Sequence, residues 1–228
     1  SRGKYMNKKD DKDLELSNKF WKDEPNKFYE HYRTSFNPIS FFAKLFLKQR
    51  NAWALSRVVL NKNDVIADIG CGSGTLLDQL ANNTKHVYAI DISEQMIEEA
   101  KNNNNSINIE YVQSSCEPCP LNNSSIDTII SLGVLDYVRD IESFVIELNR
   151  TLRPGGVAII TAPKTRTIFS FLRWFNNLRK ILTKMPPLVN IVSRVEMQKI
   201  LYKANFEVIE MKSLWTAMWV IVVRRPEE

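Results

Sequence analysis

Two carboxylates and a glycine-rich loop carry the clearest chemistry in this chain. Asp68-Ile69-Gly70-Cys71-Gly72-Ser73-Gly74 closes a short apolar run, residues 65–69, and leads into a helical stretch at 75–81. Glycines at alternate positions let the backbone turn tightly and come close to a ligand, since no Cβ intervenes. The helix that follows would present unpaired N–H groups to a negative or electron-rich group. Asp91 ends the next apolar run, 86–90, where an acidic side chain can accept from both hydroxyls of a ribose. Its competing role is to cap the helix that starts beside Ser93. A glycine loop alone would serve dinucleotide binding equally well. Cys116-x-x-Cys119 invites a metal or redox reading, but zinc needs about four ligands. The remaining supply is Cys71 and two histidines, so no metal is expected.

The elements that must hold these residues alternate in period. Strands are predicted at 65–69, 86–90, 107–112, 126–131, 157–161, 206–211 and 215–223, and helices at 75–81, 94–101, 141–152 and 195–204. That rhythm predicts an α/β fold with a doubly wound, mostly parallel sheet. Ahead of it, residues 6–24 are polar and read as a tail or a loosely held first helix. Residues 38–60 read as one or two helices after the turn at Asn37-Pro38. After the fifth strand, about thirty residues interrupt the rhythm, against a usual connection of roughly 2–6. Ile168, Phe171, Leu172, Phe175, Leu178 and Leu182 give them a helical stripe, which Pro186-Pro187 ends. The expected organisation is a tail at 1–24, an N-terminal helical cap at 25–62, and a ligand-binding domain at 63–228 with a cap insertion at 163–192. Met6 is a plausible native start, with residues 1–5 read as an expression scar outside the fold.

With 44% apolar residues, the 228-residue chain can bury a sizeable core as one elaborated domain. Three cysteines make no disulfide framework, which favours a reducing, cytoplasmic compartment. The longest apolar stretch, 214–223, is far short of the roughly 18 residues of a membrane span and reads as a buried strand. The net charge of +5 conceals a regional pattern. Residues 31–63 and 163–195 contain no acid and together carry +13, leaving the rest of the chain at −8. Both windows are rich in aromatics. Each is either a solvated basic helix face or an electrostatic footprint for an anionic partner.

The loop and the strand tips resemble those of class I S-adenosylmethionine-dependent methyltransferases, of the type 11/25-like group. Residues 65–74 look like that family's first motif in its Asp-x-Gly-Cys-Gly-x-Gly form, which separates it from the dinucleotide fingerprint. Leu132-Gly133-Val134-Leu135-Asp136-Tyr137-Val138 is similar to the motif after the fourth strand. Leu148-Asn149-Arg150-Thr151-Leu152-Arg153-Pro154-Gly155-Gly156 is similar to the turn entering the fifth. With Asp91, four motifs stand in the family's order, and the likeness is close over 64–163. It implies seven strands with an antiparallel last one, S-adenosyl-L-methionine as methyl donor, and S-adenosyl-L-homocysteine as product. By the same resemblance Gly70, Cys71, Gly72 and Gly74 would line the methionine and ribose, and Asp68 would hold the amino-acid end. Asp91 would take the ribose hydroxyls, Ile92 and Met96 would pack on adenine, and the Leu132 carbonyl would lie near the amino group. Ser115 stands where the family often has an Asp that accepts from the adenine amino group; the Cys116 N–H would serve ring N1. Tyr29 and Tyr32 would close over the cofactor, as the Phe-Tyr-x-x-Tyr pattern suggests.

Methyl transfer from a sulfonium is an in-line displacement, so alignment and exclusion of water matter most. A hydroxyl or amine acceptor would also need a base. Candidates are His31, Tyr32, Asp136 and Tyr137, of which His31 has the ordinary pKa best suited to the task, unless it simply faces solvent. Both basic aromatic windows would lie over the carboxyl edge of the sheet. Residues 38–50 and 167–184 have the composition of helices that rest on a membrane surface. That favours a small or amphiphilic acceptor (lipid-, quinone- or isoprenoid-like) and peripheral membrane contact. Simple lid helices over a pocket for a soluble metabolite are the plainer reading. An RNA methyltransferase and a non-catalytic cofactor-fold binding module remain as alternatives; no recognisable RNA-binding module accompanies the charge. Oligomeric state does not follow from the sequence.

Overall fold

A computed structural model describes residues 8–23, 38–164, 189–215 and 218–227. Two helices precede the sheet, α1 (Lys8–Asp23) and α2 (Pro38–Leu55). The alternating part runs β1 (Val65–Ile69), α3 (Leu77–Ala81), β2 (His86–Asp91), α4 (Glu94–Asn103), β3 (Ile109–Gln113), β4 (Ile126–Ser131), α5 (Ile141–Thr151) and β5 (Leu152–Pro163). It closes with α6 (Arg194–Lys203), β6 (Glu207–Leu214) and β7 (Met218–Arg224). The seven strands form one sheet in the order β3-β2-β1-β4-β5-β7-β6, with β7 alone antiparallel to the others. Succession reverses between β1 and β4, so their carboxyl ends open the crevice where such sheets bind ligands.

Each face of the sheet carries a core layer. On one, α5 turns Ile141, Phe144, Val145 and Leu148 inward at helical spacing, and α6 adds Met197 and Leu201. On the other, Leu77 and Leu80 of α3, Ile97 of α4 and Ala54 of α2 cover Ile66, Val87 and Ile130. Burying a side chain such as Phe144 contributes about 2–3 kcal/mol. Local signals fix the helix starts: Ser93 accepts from Met96 N ahead of α4, Asp140 caps α5, and Ser193 forms a capping box with Glu196 ahead of α6.

Two open readings are settled and two segments differ from expectation. Residues 8–23 fold as a helix that buries Leu14 and Ser17. α2 is a single helix that stops at Leu55, followed by a turn in which Arg57 pairs with Glu210 at 2.8 Å. β5 begins at Leu152, because Gly155 and Gly156 continue the strand by backbone pairing with Arg225 instead of ending a turn. The apolar run 214–223 is not one strand: Leu214 ends β6, Trp215 turns with φ +46, and β7 starts at Met218. The predicted helix at 167–184 lies outside the described residues, as do Tyr29, His31 and Tyr32. Among the described residues, no helix is long and apolar enough to cross a membrane.

Candidate functional site

The glycine loop leaves β1 by bonding to the neighbouring strand. Gly70 N and Cys71 N both donate to Ile90 O, at 2.7 and 3.0 Å. Gly70 has φ +77, and a Cβ there would lie 2.2 Å from Val134 Cγ2, so only glycine fits. Gly72 N donates to Asp91 Oδ2 at 2.9 Å, and Ser93 N donates to Oδ1 at 2.9 Å. Asp91 therefore bridges the loop and the turn into α4, while capping falls to Ser93. Burial raises the Asp91 carboxyl above its ordinary value, against the N–H bonds that favour its charge. Each oxygen keeps a second lone pair for a ligand hydroxyl. The expected helix N-terminus at 75 is absent. α3 has five residues and starts at Leu77, and Gly74 N and Leu77 N are taken up by Cys71 O and Gly74 O.

At the other end of the loop a charge pair forms that no motif announced. Asp68 is 4% exposed, and burial holds its carboxyl at about 7; Arg50 of α2 pulls it down while Asp91 pushes it further up. The same Arg50 places Nη1 3.4 Å from Leu132 O and close to Gly133. Leu132 O, expected beside a ligand amino group, thus already receives the guanidinium. Next to it, Asn51 Nδ2 donates to Thr75 Oγ1 at 3.3 Å, tying α2 to the glycine loop. Arg50 belongs to the basic window 31–63, but its distinct role depends on a contact across 82 residues of sequence. One cation and one buried carboxyl within electrostatic reach of each other match the carboxylate and ammonium of an amino-acid group.

The remaining expected contacts vary in how open they stand. Ile92 is half-buried, Met96 buried and Ser115 exposed. Cys116 takes φ +58, its N–H directed at Ser114 Oγ at 3.4 Å. Glu117 accepts from the N–H groups of Arg139 and Asp140, and Arg150 donates to Cys119 O and Leu121 O, so this loop is latched to α5 and to the turn before it. All three cysteines are free and buried. Burial pushes the Cys71 thiol up; hydrogen bonding between Cys116 and Cys119 raises the former and lowers the latter. Among the described residues no cluster of three His, Cys, Asp or Glu could hold a metal ion.

Asp136 and Tyr137 sit half-buried on the turn after β4. That turn is pinned from below by Asn190, whose Nδ2 donates to Leu135 O and Val138 O, and by Val189 N on Asp136 O. From above, Trp21 of α1 meets Tyr137 edge to face, ring centres 5.1 Å apart. α1 and α2 thus both reach the carboxyl edge, one at the turn after β4 and one at the glycine loop.

Known proteins resemble this chain in sequence and in fold. The family model described as methyltransferase domain matches residues 67–160. A ubiquinone biosynthesis O-methyltransferase of Rickettsia typhi is 30% identical over 175 residues, covering 72% of this chain and 70% of that protein. In fold, the chain is similar to magnesium protoporphyrin IX methyltransferase from Synechocystis PCC 6803, solved with bound S-adenosylhomocysteine. There the TM-score is 0.71 at 19% identity, over 93% of this chain and 99% of that one. A chain from the complex of the Haloferax volcanii Trm112 methyltransferase activator with a methyltransferase gives 0.73 at 17%, over 91% and 98%.

Proposed function

The chain belongs to the class I S-adenosylmethionine-dependent methyltransferases, and from that premise we propose that it methylates an amphiphilic, quinone- or isoprenoid-like acceptor taken up at a membrane surface. The observation that carries this reading is the face of α2. Phe41 is 64% exposed, with Lys44 and Lys48 exposed on the same helix and no acid between residues 31 and 63. A helix that displays aromatic and cationic groups beside a ligand crevice suits an apolar molecule held in an anionic bilayer. The name of the Rickettsia typhi relative, an enzyme of ubiquinone biosynthesis, points the same way.

The residues at the carboxyl edge fit the cofactor. Asp91 would hold the ribose hydroxyls, while Asp68 and Arg50 would hold the ammonium and carboxylate of the methionine end. Gly70, Cys71, Gly72 and Gly74 keep that floor free of side-chain bulk, and Ile92, Met96, Ser115 and Cys116 stand at the adenine side. When bound, the cofactor supplies a methyl group made electrophilic by its sulfonium sulfur. The chain's own task is then to align an acceptor and shut out water. Trp21 and Tyr137 would form the apolar wall, and the Asp136 carboxylate would receive the proton an acceptor hydroxyl gives up. Tyr29, Tyr32 and His31 keep the roles read from sequence, closing over the cofactor and competing as base.

Two measurements test this. The protein should float with vesicles containing about a third phosphatidylglycerol, and charge reversal at Lys44 and Lys48 should abolish flotation. With a tritiated methyl donor and a total lipid extract, label should enter the organic phase. Label confined to water-soluble products, with no flotation at low salt, would replace the amphiphile by a soluble metabolite; label on added RNA would favour the nucleic-acid alternative.

A further inference from the structure

Trp215 is a large residue in an unfavourable place. It is 42% exposed and adopts φ +46, a left-handed conformation that a residue with a Cβ takes at a cost. Among the described residues it makes two contacts to α2. The indole Nε1 donates to Gln49 Oε1, and the ring packs edge-on against Phe46 with centres 5.6 Å apart. Phe46, Gln49 and Arg50 stand at i, i+3 and i+4, so they share one face of α2. A turn of α2 about its axis would break the Trp215 contacts and swing Arg50 off Leu132 O in the same motion. On the far side, Asn51 on Thr75 is the matching tether to the glycine loop.

Building on the methyltransferase reading, we infer that Trp215, at the tip of the β6–β7 hairpin, is a positioning residue for the cofactor. It acts through Phe46 and Gln49 to hold Arg50 against the amino-acid end of the site. The hairpin lies at the edge of the sheet remote from β2 and Asp91, so this role is separate from the ribose contacts. Loss of the anchor should show in the ionisation of Asp68, because the titratable groups facing that carboxyl are Arg50 from α2, Asp91 from β2 and the Cys71 thiol from the loop, which burial keeps neutral. Arg50 is the cation among them. Moving it away leaves Asp68 beside Asp91 alone, so Asp68 ionises at higher pH and grips an ammonium group over a narrower range.

The experiment is calorimetry with S-adenosylhomocysteine from about pH 6 to pH 9 on wild type, Trp215→Ala, Trp215→Phe and Gln49→Ala, with circular dichroism to verify folding. Trp215→Ala should weaken binding about tenfold near pH 7 and move the acid limb of the affinity profile to higher pH. Trp215→Phe keeps the ring contact and should lose less. Gln49→Ala, an exposed helix position, should shift the limb in the same direction, and it decides the matter should Trp215→Ala fail to fold. A limb left in place by Gln49→Ala and by folded Trp215→Ala overturns the inference, even if affinity falls uniformly, since that is what simple loss of structure would produce. If wild type does not bind S-adenosylhomocysteine at any pH, the cofactor-site reading falls and the inference with it.

Discussion

Replacing Asp68 with asparagine should stabilise the ligand-free protein while removing the hold on the cofactor proposed for it. The carboxyl is buried at the end of β1, at about 7 against an ordinary 3.8. At about 1.4 kcal/mol per pH unit, keeping it ionised in the folded state costs on the order of 4 kcal/mol. Because the folded carboxyl binds its proton more tightly than the unfolded one, wild type gains stability as pH falls from about 7 toward 4, and the cost is fully felt above 7. Asparagine is neutral throughout and escapes it. Urea denaturation near pH 8 should find Asp68→Asn more stable by roughly 2–4 kcal/mol. The advantage should shrink by about 1.4 kcal/mol for each pH unit below 7 and vanish near pH 4. Calorimetry should show cofactor-product affinity reduced at least about a hundredfold, as expected when a charged partner is lost. A variant less stable than wild type near pH 8 would refute the reasoning, since it would show that Arg50 more than offsets the cost of burying the charge.

Asp91→Ala should remove the acceptor for both Gly72 N–H and Ser93 N–H as well as the proposed ribose contact, lowering S-adenosylhomocysteine affinity by roughly a hundredfold or more in calorimetry. Gly70→Ala should cost about 2–4 kcal/mol in chemical denaturation, from the left-handed backbone and the overlap with Val134 together. Adding Val134→Ala should recover the steric part and leave the backbone part, a coupling that a double-mutant cycle measures.

Much of the fold was legible because its signals are local. Buried parallel strands such as β1 and β4 are short apolar runs, and the Ser93 and Ser193 caps announce the helices behind them. The glycine loop and Asp91 were legible for the same reason: tight turns and strand tips demand particular residue types at fixed spacing. What stayed hidden depends on distant partners. α1 is largely polar, and its inward side shows only once the turn after β4 lies beneath Trp21. Arg50 is one of six cations in an acid-free window, distinguished by partners far off in sequence, the Leu132 carbonyl 82 residues away and the Asp68 carboxyl. Trp215 fits a strand by composition; in the turn it meets Phe46 and Gln49 of α2, partners that no local signal names. Gly155-Gly156 resembles a turn entering a strand, and becomes strand because Arg225 supplies the missing backbone partner.

The double grip of Asp91 on Gly72 and Ser93 has a kinetic consequence. Both bonds are made within the chain and need no ligand partner, so they hold the floor of the crevice in shape, and docking onto it demands little additional ordering of the chain. Encounter with the donor then proceeds without a folding step at the floor.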